Sequence, residues 1–185
     1  VGDGHRLVER QRAAVMRCAA SDAAAADRGS RRVEPADVRG EPIRIDALNL
    51  ILTLECALGG GVVLGARDGC FRDLASVHGT YRRVEETRPA LEIAAKALRG
   101  WGVGPCTWLL DAPVSNSGRL AALIREVDPS FIAQVVPDPD PLLILPGPVV
   151  ATADSGILRR CGPWLNLARL LVETAIPDTF VVDLG

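Results

Sequence analysis

Short segments of β-type apolar residues alternate along the chain with segments of helical periodicity. Residues 43–48 form a run long enough for a buried strand, and in residues 49–58 the apolar positions recur at helical spacing. Further strands are predicted at residues 62–64, 70–71, 107–110, 131–136, 149–151 and 180–183, and further helices at 85–98, 118–127, 156–161 and 164–173. Strands that alternate with helices are typical of parallel sheets. The pattern therefore predicts an α/β fold with a mainly parallel central sheet.

The first forty residues differ in character from the rest. Residues 6–27 form a helical pattern rich in Ala and Arg with few large apolar residues, which is typical of a peripheral helix. Gly29 and the polar residues after it end this helix, and a linker runs to Gly40. We therefore predict an N-terminal helical extension over residues 1–40 and one α/β domain over residues 41–185.

The composition fits a single folded domain with no global basic field. The 185 residues are 48% hydrophobic and 24% charged, with a formal net charge of −2, so binding of nucleic acid would need a local basic patch. Five scattered cysteines without a CxxC pair argue against a zinc site or a disulfide framework. No segment approaches the roughly 20 apolar residues of a membrane span, and no apolar signal-peptide core follows the early charges. We therefore expect a cytoplasmic protein with no membrane partner.

Three carboxylates follow predicted strands at the points where helices begin. They are Asp46, Asp111 and Asp154. Because the ends of parallel strands meet at one edge of the sheet, these acids are predicted to converge. Carboxylates so placed repel one another unless a divalent cation neutralises them, and hard oxygen ligands suit Mg²⁺ or Mn²⁺. The alternative is that each acid is an ordinary helix N-cap.

Three short motifs occur along the chain in an order that is typical of a known protein family. They are Asp-x-x-Asn after the first strand, an Asp after a central strand, and Thr-x-Asp-Ser before a late helix. Together they resemble the PIN-like nuclease superfamily, and more closely an uncharacterised branch of it, known only as a domain of unknown function. The matching segments are IDALNLILTLECALGGG, RDGCFRDLASVHGTYR, WLLDAPVSNSGRL and VATADSGIL. Two positions depart from the usual pattern, Ala47 replacing a Gly and Leu48 replacing an aromatic residue.

The resemblance implies a PIN-like, Rossmann-like α/β/α sandwich of three layers, a site for Mg²⁺ or Mn²⁺, and hydrolysis of RNA. The catalytic and metal-ligand positions fall on Asp46, Asp111 and Asp154. The candidates for a fourth metal-binding acid are Glu55, Asp68 and Asp73.

Polar residues near these acids are candidates for contacts with substrate. The resemblance places Asn49 where it would orient Asp46 or contact a phosphate, and Ser155 where it would bind a phosphate or a metal-bound water. The other candidates for substrate binding are Arg72, Asn116, Ser117 and Arg119. For the segment 115–118 an ordinary helix cap is the alternative reading.

The segment that carries Arg72 is basic. Its arginines would track a nucleic-acid backbone or form a solvated surface, and two further side chains nearby would stack on a base. The residues in question are Arg67, Arg72, Arg82 and Arg83 for the backbone, and His78 and Tyr81 for stacking.

These observations lead to two hypotheses of function. The first is a divalent-metal-dependent phosphodiesterase, an endoribonuclease in which water is the nucleophile. The second is a non-catalytic module of the same fold that binds RNA or a protein partner, with the acids serving as caps. A small-molecule phosphohydrolase is a weaker option, because the sequence from Asp46 lacks the second Asp of a DxDxT signature. Either main hypothesis is compatible with a homodimer.

Overall fold

The fold is a three-layer α/β/α sandwich around a six-stranded parallel sheet. The computed structural model describes residues 7–74 and 84–185. The strands in these ranges are β1 (Arg32–Val33), β2 (Ile43–Asp46), β3 (Val63–Gly65), β4 (Phe71–Arg72), β5 (Cys106–Asp111), β6 (Ile132–Val136), β7 (Val149–Ala151), β8 (Trp164–Leu165) and β9 (Val181–Asp183). The helices are α1 (Glu9–Cys18), α2 (Asp22–Arg31), α3 (Ala47–Leu58), α4 (Thr87–Gly100), α5 (Ser117–Val127), α6 (Asp140–Leu143), α7 (Ser155–Leu158) and α8 (Leu167–Ala175), with a 3₁₀ turn at Pro35–Val38.

The central sheet has the strand order β1-β8-β7-β2-β5-β6, and all its strands are parallel. After β2 the chain proceeds to β5 and β6 on one side, then returns to β7 and β8 on the other. The order therefore reverses between β2 and β7, and the crevice outside the carboxyl ends of such strands is where open α/β sheets bind ligands. A smaller sheet has β3 between β4 and β9, antiparallel to β4 and parallel to β9.

Two hydrophobic clusters cover the two faces of the central sheet. Alternate residues of one strand point to opposite faces, so Trp108 joins one cluster and Leu109 the other. The first cluster contains the apolar sides of α3, α4, α5 and α8, and the second contains those of α6 and α7. Helices on both faces explain why the central strands β5 and β7 are nearly continuous apolar runs.

The predicted fold class is confirmed, and the predicted strands overlap observed ones. Strand β2 is shorter than predicted, because the helical turn begins directly after Asp46. The prediction that a helix starts at Trp164 was wrong. Its side chain is fully buried and donates an indole hydrogen bond to the carbonyl of Arg28 over 2.8 Å, and its backbone forms strand β8.

The single helix predicted for residues 6–27 is two helices. Helix α1 ends at Cys18, and Ser21 starts α2 by accepting a hydrogen bond from the N–H of Ala24 over 3.2 Å. Immediately after α2, Arg32 and Val33 pair with β8 and form the edge strand β1 of the central sheet. The division at residue 40 stays a prediction, and part of the chain before it adds to the sheet.

None of the helices in the described ranges has the length and apolar character that a membrane crossing requires.

Candidate active site at the carboxyl edge of the central sheet

Asp46 is the last residue of β2 and lies directly before α3. Its Oδ2 accepts a hydrogen bond from the hydroxyl of Thr152 over 2.8 Å, and the oxygen of that hydroxyl accepts from the N–H of Asp154 over 3.0 Å. Thr152 and Asp154 follow β7, the neighbour of β2. One threonine therefore links two of the three predicted acids at the point where the strand order reverses.

A second polar link joins the first turn of α3 to the segment after β7. The side-chain oxygen of Asn49 accepts a hydrogen bond from the N–H of Ala153 over 2.8 Å. Asn49 thus helps to place the backbone that carries Asp154, rather than bonding to Asp46 through its side-chain oxygen. Its predicted contact with a phosphate would have to come from the amide nitrogen.

Asp46 has the largest pKa shift of the carboxyl groups at this edge of the sheet. Burial, aided by the negative charges of Asp154 and Asp111, raises the pKa of Asp46 to about 7, although the hydrogen bonds from the hydroxyl of Thr152 and the N–H of Asn49 act in the opposite direction. A carboxylate in this environment is expensive to ionise without a compensating positive charge. A cation nearby would therefore change its protonation state.

Asp154 is exposed and serves as the N-cap of α7. Its Oδ1 accepts hydrogen bonds from the N–H groups of Gly156 and Ile157 over 2.7 and 3.0 Å. Within residues 7–74 and 84–185, its Oδ2 has no hydrogen-bond partner. The N-cap therefore uses one carboxylate oxygen of Asp154, and the other oxygen is available to bind a ligand. Asp46, by comparison, makes no side-chain bond of full cap geometry on α3, although the N–H of Asn49 is close enough to act against the rise in its pKa.

Asp111 ends β5, on the other side of β2, and is half-buried. Burial raises the pKa of Asp111, and so do the charges of Asp140 and Asp138. Burial and the charges of Asp138 and Asp154 likewise raise the pKa of Asp140, against the effect of Arg160. The five acids that influence one another are called the acidic edge below, namely Asp46, Asp111, Asp138, Asp140 and Asp154.

Asp138 and Asp140 were missed as site residues by sequence reasoning. Both follow β6, the strand beside β5, so their approach to Asp111 follows from the parallel pairing. The signal was present, because the predicted strand at residues 131–136 runs toward Asp138 in the same pattern that singled out the other acids. Thr152, the direct partner of Asp46, was also missed as a site residue.

Asp68 and Arg72 form a buried ionic group with Arg28. Both oxygens of Asp68 bond to Arg72, at 3.0 and 2.6 Å, and one of them also accepts from Arg28. Burial acts to raise the pKa of Asp68, but the two guanidinium groups outweigh burial and hold that pKa below its usual range. Arg72 donates its remaining bond to the carbonyl of Ala153 over 2.8 Å. Asp68 therefore pairs with arginines and not with the acidic edge. Arg72 stabilises the fold through its bonds to Asp68 and Ala153.

The two other candidates for a fourth acid are also buried, Glu55 on α3 and Asp73 directly after β4. Glu55 accepts a hydrogen bond from the hydroxyl of Thr87, at the start of α4. Asp73 is 3.4 Å from the hydroxyl of Thr53 and 3.8 Å from a guanidinium nitrogen of Arg17. Both carboxylates have protein partners, and their roles as metal ligands stay predictions.

The predicted substrate-binding residues divide into internal and exposed side chains. Ser117 is buried, and its hydroxyl lies 2.6 and 2.8 Å from the carbonyl oxygens of Asp111 and Val114, so it stabilises the start of α5. Asn116 adopts a left-handed conformation with φ of 72° before that helix and is exposed, as is Arg119 on its first turn. Ser155 is exposed at the start of α7.

The basic segment is only partly described. Arg67 pairs with Asp22 at the surface. His78, Tyr81, Arg82 and Arg83 lie outside the described residues.

The acidic edge supplies only oxygen donors. In the described part of the chain, no three Asp, Glu, His or Cys side chains are close enough together to hold one metal ion. Mg²⁺ is commonly bound through one or two carboxylates, with waters and substrate phosphates completing the coordination. The donor chemistry of the acidic edge therefore fits such an ion, with fewer protein ligands than the three-acid prediction required.

Comparisons with known proteins place this edge inside a segment that matches a protein family. The profile of a family described as "Domain of unknown function (DUF5616)" matches residues 35–170. An uncharacterized protein of Methanocaldococcus jannaschii is 29% identical over 131 residues, which cover 71% of this chain and 62% of that relative. No solved structure matches the chain. The family match includes all five acids of the acidic edge.

Proposed function

We propose that this chain, which belongs to the DUF5616 family, is a divalent-metal-dependent phosphodiesterase that hydrolyses RNA. The observation that carries the proposal is the hydroxyl of Thr152, which bonds to the carboxylate of Asp46 and to the N–H of Asp154. These acids lie at the ends of the adjacent strands β2 and β7, and Asp111 ends β5 on the other side of β2. Retaining a buried carboxylate beside two others opposes folding. A bound cation would offset this repulsion between the carboxylates.

Mg²⁺ or Mn²⁺ would be held by Asp46 together with the available oxygen of Asp154, with waters and a substrate phosphate completing its coordination. Asp111, at the end of the neighbouring strand, would add negative charge to the site without binding the same ion. When bound, such an ion activates water and stabilises the charge that develops on a phosphodiester undergoing in-line displacement. Thr152 orients the Asp46 carboxylate through its hydroxyl proton, and Asn49 holds the backbone that carries Asp154. These bonds position the acids before substrate arrives.

RNA is proposed as the substrate because the order of motifs in this sequence resembles that of the PIN-like nuclease superfamily. Exposed basic and polar side chains beside the acidic edge support contacts with a phosphate backbone. They are Arg119 on the first turn of α5, Asn116 before it, and Ser155 at the start of α7. A local patch of this kind suits a chain whose net charge is −2.

The five cysteines support a reducing, cytoplasmic setting for this activity. All five are free thiols, and four of them are buried. Disulfides are rare in that compartment.

The direct test is cleavage of single-stranded and structured RNA in the presence of Mn²⁺. The full chain is compared with Asp46→Asn and Asp154→Asn, and with Asp178→Asn as a matched control at an exposed turn. We expect both site substitutions to abolish cleavage and the control to leave it unchanged. Cleavage that survives both site substitutions would contradict the proposal.

The second candidate is a non-catalytic module of this fold that binds RNA or a protein. The N-cap that Asp154 forms on α7 favours it, because capping gives that acid a structural purpose without a metal. Calorimetric titration with Mn²⁺ separates the two candidates. Binding of RNA without any binding of Mn²⁺ at millimolar concentration would favour the module.

A further inference from the structure

A small cavity lies beside Asp154 at the carboxyl ends of β2 and β7. Its volume is about 60 Å³, and its walls come from four separate parts of the chain. We call it the Arg17 pocket, and its lining residues are Arg17, Asn49, Arg72, Ala153, Asp154 and Ser155. Among the described residues, the lining contains no aromatic side chain. Because one water takes up about 30 Å³ of the liquid, the pocket has room for a small polar group rather than for a base.

Arg17 brings a positive charge to this pocket from helix α1. Its guanidinium is 3.8 Å from Asp73, and its side chain is 37% exposed, so it reaches both the pocket wall and solvent. Arg17 precedes the family match, which begins at residue 35. The helix before the matched segment therefore contributes a wall of a cavity that borders the acidic edge.

Asn49 contributes a hydrogen-bond donor to the same pocket. Its side-chain oxygen is held by the N–H of Ala153, which fixes the orientation of the amide. Among the described residues, its amide nitrogen has no hydrogen-bond partner. An amide nitrogen can only donate, so the group that completes this site must be an acceptor.

The buried ionic group behind the pocket is also positive. Arg28 and Arg72 share the single carboxylate of Asp68, which leaves one positive charge in excess within the trio. Arg72 lines the pocket, and Arg28 donates to the carbonyl of Ser155 over 3.3 Å. Charges in a partly buried setting act more strongly than in water. The excess positive charge of the trio therefore offsets the carboxylate of Asp154, which also lines the pocket.

We propose that the Arg17 pocket binds one backbone phosphate of the RNA substrate, adjacent to the phosphodiester that is cleaved. Arg17 supplies the opposing charge, and the amide nitrogen of Asn49 supplies a hydrogen bond. This inference rests on the proposed function, because it assigns the pocket to the same substrate. Guanidinium groups suit phosphate because their donors are arranged in a planar fork.

The test measures binding of a single-stranded RNA to the full chain by fluorescence anisotropy, in EDTA so that no cleavage occurs. We expect Arg17→Gln to weaken binding about tenfold at moderate salt. It should also reduce the slope of log affinity against log salt by about 0.7, the value for one lost phosphate contact on a single strand. Arg10→Gln is the matched control, since Arg10 is an exposed arginine on the same helix and outside the pocket. It should change affinity less than twofold.

Asn49→Asp provides a second and independent variant. A carboxylate still accepts the bond from the N–H of Ala153, but it replaces the donor in the pocket by a charged oxygen. We expect weaker RNA binding than in the wild type, again in EDTA. Circular dichroism confirms that each variant is folded, and Mn²⁺ titration of Arg17→Gln should give the wild-type affinity.

The outcomes separate this inference from the proposed function. The proposal for the pocket would be overturned if both variants kept the wild-type affinity and salt slope. It would also be overturned if the wild type did not bind RNA. If the wild type binds RNA but does not cleave it with Mn²⁺, the nuclease proposal fails, while the comparison of Arg17→Gln with Arg10→Gln still decides whether the pocket binds a phosphate.

Discussion

The hydroxyl of Thr152 donates a hydrogen bond of 2.8 Å to the carboxylate of Asp46, although the two residues are 106 positions apart. The oxygen of the same hydroxyl accepts from the N–H of Asp154, so its single proton is directed to Asp46. The bond joins the end of β2 to the segment after β7. The positions of two proposed metal ligands therefore depend on one uncharged residue.

The first prediction concerns the pH dependence of stability. Folding raises the pKa of Asp46 from 3.8 to about 7, so between these values the folded state binds more protons than the unfolded state. The contribution of Asp46 to stability is therefore present below pH 4 and is lost as pH rises to 7. In EDTA at pH 8, Asp46→Asn should be more stable than wild type by roughly 2 kcal/mol, within the limit of about 4 kcal/mol that the pKa shift sets.

Urea denaturation at pH 5 and pH 8 measures this effect. The difference in unfolding free energy between the two pH values should be smaller in Asp46→Asn than in the wild type. Asp178→Asn, at an exposed turn, should retain the wild-type difference. Equal pH dependence in all three proteins would show that Asp46 titrates normally.

The second prediction concerns the hydroxyl of Thr152. Thr152→Val removes the donor to Asp46 with little change in shape, and should lower the free energy of unfolding by about 1–2 kcal/mol at pH 8. In the Asp46→Asn background the same change should have a different effect, since the two groups are in contact. Thr174→Val is the control, because Thr174 is exposed and, among the described residues, its hydroxyl bonds only to the carbonyl of Leu170 in its own helix. Additive effects of the two substitutions would argue against the bond.

The third prediction separates the buried ionic group from the acidic edge. Asp68→Asn leaves Arg28 and Arg72 without their shared carboxylate and should lower the free energy of unfolding by about 3–5 kcal/mol. Asp22→Asn breaks an exposed pair with Arg67 and should change it by less than about 1 kcal/mol.

Calorimetry with Mn²⁺ on the folded Asp68 variant tests the ligand role directly. Its affinity should equal that of the wild type. Normal stability combined with weakened Mn²⁺ binding would instead make Asp68 a metal ligand, as one interpretation of the sequence predicts.

The fourth prediction distinguishes two neighbours at the start of α5. Ser117→Ala loses the hydroxyl contacts with two carbonyl groups and should destabilise the fold by about 1 kcal/mol, with RNA affinity unchanged. Arg119→Gln should weaken RNA binding and leave the melting temperature unchanged, because its side chain is exposed. The reverse pattern would exchange the roles assigned to these residues.

The fifth prediction concerns the acids after β6. The charge of Asp140 raises the pKa of Asp111, so Asp140→Asn should lower it. Carbon-13 NMR of the Asp111 carboxyl during a pH titration measures this shift in the metal-free protein. A pKa for Asp111 that is the same with and without Asp140 would mean that the two acids are too far apart to share a site.

The alternation of strands and helices, and with it the fold class, could be predicted from the sequence alone. Hydrophobic periodicity is a local property, so short apolar runs such as that before Asp111 identify buried strands without knowledge of their neighbours. An acid directly after such a run lies at the carboxyl end of a strand, and parallel pairing places all such ends along one edge. That reasoning found Asp46 and Asp154, and applied to the strand before Asp138 it extends to that acid as well.

The contacts of each polar side chain follow from the tertiary structure and could not be predicted from the sequence. Asp68 and Ser117 have the residue types and positions of site residues, yet one pairs with arginines and the other with carbonyl groups of its own turn. Arg17 lies in a weakly amphipathic helix, yet it reaches the acidic edge. The physical reason is that a hydrogen bond or ion pair forms between groups brought together by strand order and helix packing, and these depend on contacts between residues far apart in the chain.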